Sequence, residues 1–427
     1  MTLPRNNTKL LAAWCLYDWA NSAFTTLVVT FVYATYFTRA IAPDEISGTA
    51  LWSRAVGLTA LLVGVTSPIL GAMADQGGRR RRYLAISTLV CAAATAALAC
   101  VTPGMQGSIM LALVLFTLAN IAFELGYVFY NAFLPDITTP ARLGRVSGYG
   151  WGLGYVGGLV CLVIALVGFI RPEVPWFGLS KTDGLNVRAT NLLVAGWMLV
   201  FALPLLLSAR GEERRPGSNT VGDALRSIGR TFQQIRQFRD AARLLLARVL
   251  YNDGLSTAFA FGGIYAAGTF GMSFADILVF GIALNVAAGF GAWVFGFLDD
   301  RWGGKRTILL SIVALIAATA IAAWAPTRTW LWVAGVLIGL FAGPNQSASR
   351  SLLARFTPAG RESEFFGFFA FSGKLASFAG PFLFGVMTQA AHSQRAGIAT
   401  ILVFLIAGGM LLLGVDENRG RRAAASP

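Results

Sequence analysis

The sequence predicts an all-α membrane protein, with twelve transmembrane helices in two pseudo-symmetric six-helix bundles. Three observations carry this expectation. The chain is 56% hydrophobic and only 13% charged over 427 residues, whereas a soluble protein carries about a quarter charged residues. The apolar residues fall in runs of about 20, the length a helix needs to cross a bilayer. Several motifs of the first half return in the same order in the second.

The runs cover 11–38, 52–73, 83–102, 108–134, 146–170, 188–208, 244–270, 275–298, 306–325, 329–355, 365–390 and 397–415. The opening stretch MTLPRNNTKLLAAWCLY leads straight into a full-length span, with no small-residue cleavage site ahead of it. The first run holds LYDWANSAF, and Asp18 lies about seven residues in, ~10 Å deep at 1.5 Å per residue. A carboxylate at bilayer depth costs at least ~2.5–3.5 kcal/mol, so it needs a partner or a wet cavity. The second run carries Gly57, Gly64 and Gly71, and closes on Gly71-Ala-Met-Ala-Asp75-Gln-Gly-Gly-Arg79-Arg80. The third is plain. The fourth places Asn120, Glu124, Tyr127 and Asn131 on one helical face. The fifth follows Thr-Pro140-Ala-Arg142 and contains Gly150, Gly154 and Gly158, small residues of the kind that let helices approach closely.

A link over 209–243, with eight Arg and four acids, divides the runs six and six. The domains are therefore 1–208, a basic linker 209–243, and 244–427. Within the linker, Leu225, Ile228, Phe232 and Ile235 recur near helical spacing opposite Arg, which predicts an amphipathic helix at the membrane surface. The seventh run repeats the first: Leu16-Tyr-Asp18 and Ser22-Ala-Phe are echoed by Leu250-Tyr-Asn252-Asp253 and Ser256-Thr-Ala-Phe. The eighth closes on Gly296-Phe-Leu-Asp-Asp300-Arg-Trp-Gly-Gly304-Lys305-Arg306, repeating the end of the second. The tenth holds Asn345, Gln346, Ser349 and Arg350. The eleventh follows Thr-Pro358-Ala-Gly-Arg361 and carries Lys374; the twelfth is plain. A duplicated six-helix half is a transporter plan, with binding near the midplane between halves.

Charge fits the same picture. The chain has 34 Lys and Arg and a net charge of +14. With the N-terminus inside, 24 of these fall on inner links and termini, 7 on outer ones and 3 within spans. That is the positive-inside bias. It predicts a multi-pass protein of the cell membrane with both termini cytoplasmic, and it explains the basicity without nucleic acid. All four cysteines fall in predicted spans, so no disulfide framework is implied. The single histidine, His392, excludes a histidine metal cluster, and the zinc-protease, serine-hydrolase and P-loop signatures are absent. Neither an enzyme, a cofactor nor a metal is expected.

The repeated G-x-x-x-D-x-x-G-[RK]-[RK] pattern resembles the loop motif of the major facilitator superfamily. LYDWANSAF, LYNDG, PNQSASRS and FFGFFAFSGK resemble a branch that includes the yeast vacuolar amino-acid effluxer and bacterial permeases. The resemblance implies a central cavity lined by the first, fourth, seventh and tenth spans, where the polar residues also cluster. It also implies that Gly71, Asp75, Arg79, Arg80, Gly296, Asp300, Lys305 and Arg306 latch the cytoplasmic side. The candidate cavity residues are Tyr17, Asp18, Asn21, Glu124, Tyr127, Asn131, Asn252, Asp253, Gln346, Arg350 and Lys374. The ionisable ones form a set with Arg248, three acids and three bases that can neutralise one another. Asp18 and Asp253 are expected as pseudo-symmetric partners. Arg350 and Lys374 are expected either to hold a substrate carboxylate or to pair with the acids.

The expected function is secondary active transport of a small polar solute by a monomer in the bilayer. Amino acids lead, and proton coupling is a further expectation. Sugars, drugs and other metabolites stay open, as does a non-transporting sensor of the same fold.

Overall fold

A computed structural model describes residues 8–209, 220–376 and 379–425. Its regular structure is helical, with no strand among the described residues. In the first half, α1 (Thr8–Ala23), α2 (Glu45–Gly77), α3 (Arg80–Ala97), α4 (Ser108–Ala132), α5 (Leu143–Ile164) and α6 (Leu185–Ser208) match the six expected spans. The linker supplies α7 (Val221–Gln233). The second half is built from α8 (Arg239–Phe270), α9 (Phe274–Trp302), α10 (Gly304–Trp324), α11 (Arg328–Phe356), α12 (Glu362–Leu375), α13 (Ala379–Ala390) and α14 (Gln394–Leu413). A tail helix, α15 (Glu417–Ala425), follows.

Local chemistry explains the boundaries. Asp44 accepts the N–H groups of Ile46 and Ser47 at the start of α2, an N-cap bond that satisfies orphan donors. These bonds, with that from the Ser47 hydroxyl, hold its carboxyl below the usual range. Gly78, at φ 58°, ends α2 in the left-handed region. The linker helix opens on a capping box, Thr220 with Asp223.

Two details differ from the expected spans. α1 widens into π-type turns over Phe24–Phe31 and Phe37–Ile41. Ser22 donates to the Asp18 carbonyl, and Thr25 and Thr26 both donate to that of Ser22. Such hydroxyls compete with the backbone ladder and bend helices. The eleventh span, expected over 365–390, runs over Glu362–Ala390; α12 and α13 are its described parts, with Ala376 in a turn at the end of α12.

Among the described residues, ten helices are long and apolar enough to cross a membrane. The two spans outside that group, α8 and α11, are 32 and 29 residues long. They carry Arg248, Asp253, Gln346 and Arg350, the residues singled out above. The halves meet through α2 against α12, and α5 against α9 and α11. Glycine makes this approach close. A Cβ on Gly71 would overlap the Ser363 carbonyl of α12, and one on Gly367 would lie 2.5 Å from the Ser67 carbonyl of α2.

Candidate functional site

The deepest polar cluster joins the two halves. Arg350 of α11 is 1% exposed and Asp18 of α1 4%. The Arg350 Nη1 donates to Asp18 Oδ2 at 3.1 Å and to Asn131 Oδ1 at 3.1 Å. Its Nε donates to Ser147 Oγ at 2.9 Å and Nη2 to the Ser147 carbonyl at 2.7 Å. The Tyr130 hydroxyl donates to the same Asp18 oxygen at 2.9 Å. The guanidinium lies 4.8 Å from the ring centre of Trp14, and Tyr127 is in reach of Nη1. A planar cation with five donors suits such a cage. The cage also explains Gly150: a Cβ there would lie 2.7 Å from Asp18 Oδ2 and 2.9 Å from Arg350 Nη2.

A second cross-half pair joins Glu124 of α4 to Lys374 near the end of α12. It is wetter, with side chains 20% and 25% exposed. The remaining two ionisable residues both sit on α8. Arg248 donates from Nη1 to the Phe369 carbonyl and to Ser372 Oγ, each at 2.9 Å. Its guanidinium lies 3.7 Å from the centre of the Phe369 ring. It has no carboxylate partner, and its Nε is unsatisfied among the described residues. Asp253 Oδ2 accepts the Gly380 N–H at 3.0 Å, at the start of α13. This bond joins α8 to α13. Asp253 Oδ1 has no partner among the described residues. Asp18 and Asp253, expected as symmetric partners, therefore have different surroundings. Nearby, Gln346 donates to Asn252 Oδ1 at 2.6 Å. Tyr17 turns to Thr88 and Asn345 to Ser311. Asn21 is buried with Oδ1 unsatisfied.

The two loop motifs lie together at one end of the bundle, the motif face. Asp75 accepts the N–H groups of Ser363 and Glu364, at 3.0 and 2.8 Å, where α12 begins. Asp300 accepts those of Gly144 and Arg145, at 2.8 and 3.3 Å, where α5 begins. Each half thus places a carboxylate on a helix N-terminus of the other. Arg80 completes the first of these contacts, bonding Glu362 at 2.8 Å and Asp136 at 2.7 Å. In the second, Arg145 pairs with Asp300 and Arg355 with Asp299 at 2.6 Å. The other basic motif residues act differently from the expectation. Lys305 donates to the Leu413 carbonyl of its own half, and neither Arg79 nor Arg306 has an ion-pair partner among the described residues.

Sequence reasoning missed Ser147, Asp299, Arg355 and Glu362. The first aspartate of FLDD and the basic end of SLLARF were available signals for the Asp299–Arg355 pair. It also placed α7 only on the membrane surface. In the structure Ser227 and Thr231 bond Glu364 and Gln76 donates to the Asp223 carbonyl, so α7 crosses α2 and α12. Leu225 and Phe232 remain exposed, as an interfacial helix requires.

The family described as vacuole effluxer Atg22 like matches residues 40–425. The chain belongs to this family. The MFS-type transporter YxiO of Bacillus subtilis is 28% identical over 421 residues, covering 96% of each chain. Autophagy-related protein 22-1 of Penicillium rubens is 26% identical over 307 residues, 66% of this chain and 50% of the fungal protein. The chain thus spans about half the length of that Atg22 relative. Among solved structures, the Escherichia coli fucose:proton symporter FucP aligns with a TM-score of 0.75 at 14% identity, covering 96% of this chain and 98% of its own. The proton:xylose symporter XylE aligns at 0.74 and 13%, covering 97% of each. This Atg22-like chain therefore has the all-α major facilitator fold, and it is a multi-pass transporter protein, not an enzyme.

Proposed function

We propose that this protein is a secondary transporter of amino acids, working by alternating access. Its motif face and both termini would lie in the cytoplasm, on the charge bias given above. The observation that carries the substrate class is the pattern of satisfied charge. Asp18 is paired with Arg350 and Glu124 with Lys374. Arg248 has no carboxylate, and Asp253 keeps one free oxygen. An uncompensated buried charge is costly, and intramembrane ionisable residues mark substrate pathways. An amino acid carries the two complements, a carboxylate for Arg248 and an ammonium for Asp253. Arg350, with all of its nitrogens engaged, serves as a tie between halves in this state.

Proton coupling is assigned to Glu124, the wettest of the buried acids. A second reading, amphipathic solutes, is favoured by a crevice of about 710 Å³ between α5 and α9, walled by Leu153, Val156 and Trp293 with few polar groups.

Counterflow in proteoliposomes tests these readings. Vesicles loaded with unlabelled amino acids should accumulate trace labelled ones. Arg248→Gln should abolish accumulation, and Glu124→Gln should keep exchange while losing pH-driven uptake. If folded protein accumulates no amino acid, the amino-acid reading fails and amphipathic solutes are tried next.

A further inference from the structure

At the motif face the second half forms an open polar cavity of about 720 Å³. Its walls are the start of α8, the α9–α10 turn, the end of α14 and the tail. Three acids line it; two are held by cations and the third, Asp416, keeps its charge, so the four cations below still outnumber it. Asp300 holds the start of α5. Glu417 pairs with Arg421 and accepts the Lys305 N–H at 3.2 Å. Asp416 accepts the Arg419 N–H at 3.0 Å. Arg419 is likewise committed, to Asp240 at 2.6 Å.

Four cations on the same walls are not neutralised. Arg243 and Lys305 donate only to the carbonyls of Gly414 and Leu413. Arg301 and Arg306 have no partner among the described residues, and both are exposed. Like charges so gathered repel one another unless an anion joins them.

We propose that this cavity binds a phosphate group, carried by an acidic phospholipid headgroup or by a soluble phosphate ester. Arginine forks meet phosphate oxygens bidentately, and basic pockets between membrane helices on one face suit anionic headgroups. The volume has room for a glycerol phosphate unit. Trp302, 47% exposed, and Leu413, 62% exposed, stand at the rim, where an interfacial ring and an acyl chain would meet. A phosphate here would tie α8, α9, α10 and the tail into one block beside Asp300, the latch residue.

Native mass spectrometry of the full chain tests this, with phosphatidylglycerol against phosphatidylcholine in detergent. The wild type should retain phosphatidylglycerol selectively. Arg301→Gln with Arg306→Gln should lower retention roughly tenfold or more. Arg81→Gln with Arg82→Gln, an equal charge loss outside the cavity, should leave it unchanged. Equal loss in both pairs, or loss in neither, overturns the proposal. Thermal unfolding of each variant checks the fold, and Arg306→Gln alone serves if the double variant is unstable. Glycerol 3-phosphate separates the two sources. If it binds the wild type in an Arg306-dependent way while phosphatidylglycerol does not, the ligand is soluble. If phosphatidylglycerol resists its displacement, the ligand is lipid. If neither binds selectively, the site does not exist.

Discussion

Arg350 shows how one side chain can close a membrane protein. Its donors reach α1, α4 and α5 from a helix of the opposite half. Removing one partner of a buried pair leaves the other charge uncompensated, at a cost of about 3–5 kcal/mol. Asp18→Asn should therefore lower the thermal unfolding midpoint markedly in detergent, while Asp18→Leu with Arg350→Met should recover much of the loss. A double variant no more stable than Asp18→Asn would show that the hydrogen bonds to Ser147 and Asn131, and not the charge pair, hold the node. Both ions were legible in the sequence as charges inside apolar runs. Their pairing was not, because 332 positions separate them and no local pattern records a contact at that range. That Arg248 bonds the Phe369 carbonyl and Ser372 instead of an acid was equally hidden, since those partners lie more than a hundred positions away.

At the scale of elements, helix ends do the locking. A carboxylate at a helix N-terminus contributes up to ~2 kcal/mol in partly buried geometry, and ~1.4 kcal/mol is tenfold in an equilibrium. Asp75→Asn should therefore raise the population open at the motif face, and adding Asp300→Asn should raise it further. Spin labels on Arg142→Cys and Ala359→Cys, exposed on opposite halves, would report this as a longer-distance component. An unchanged distance distribution would mean that packing at Gly71 and Gly367 suffices. The repeated motif and the prolines before α5 and α12 made these latches readable, because capping chemistry is local. The tie of α7 to Glu364 was not, since Ser227 and Thr231 look like ordinary polar residues of an amphipathic helix. The tail adds a pH test. The Asp416 carboxyl is held below its ordinary range, chiefly by the Arg419 N–H. A depressed folded value stabilises docking above the unfolded value of ~3.9, and that share is lost only as pH falls through the lower value. Proteolytic protection of α15 should thus be flat from neutrality to mild acid and fall only in strong acid. A loss near pH 6 would assign docking to other groups.

For the whole molecule, the fold was the most legible level. Run length, charge bias and repetition are properties of the entire chain, so they survive errors at single boundaries. The turn at Ala376 escaped, because FSGKLASFAG reads as a continuous apolar run. The bond from the Gly380 N–H to Asp253, far away in sequence, was equally hidden.

The exchange of carboxylates between halves has a consequence for how the protein could be assembled. Each bundle presents its own acid and its own open helix end, and the two are complementary to those of its counterpart. Part of the recognition between the bundles is therefore encoded in their own helix ends, beside the bonds that α7 makes to both. The joining segment adds those specific bonds and also keeps the two bundles at high effective concentration, so its helical part is less free to vary than a plain tether would be.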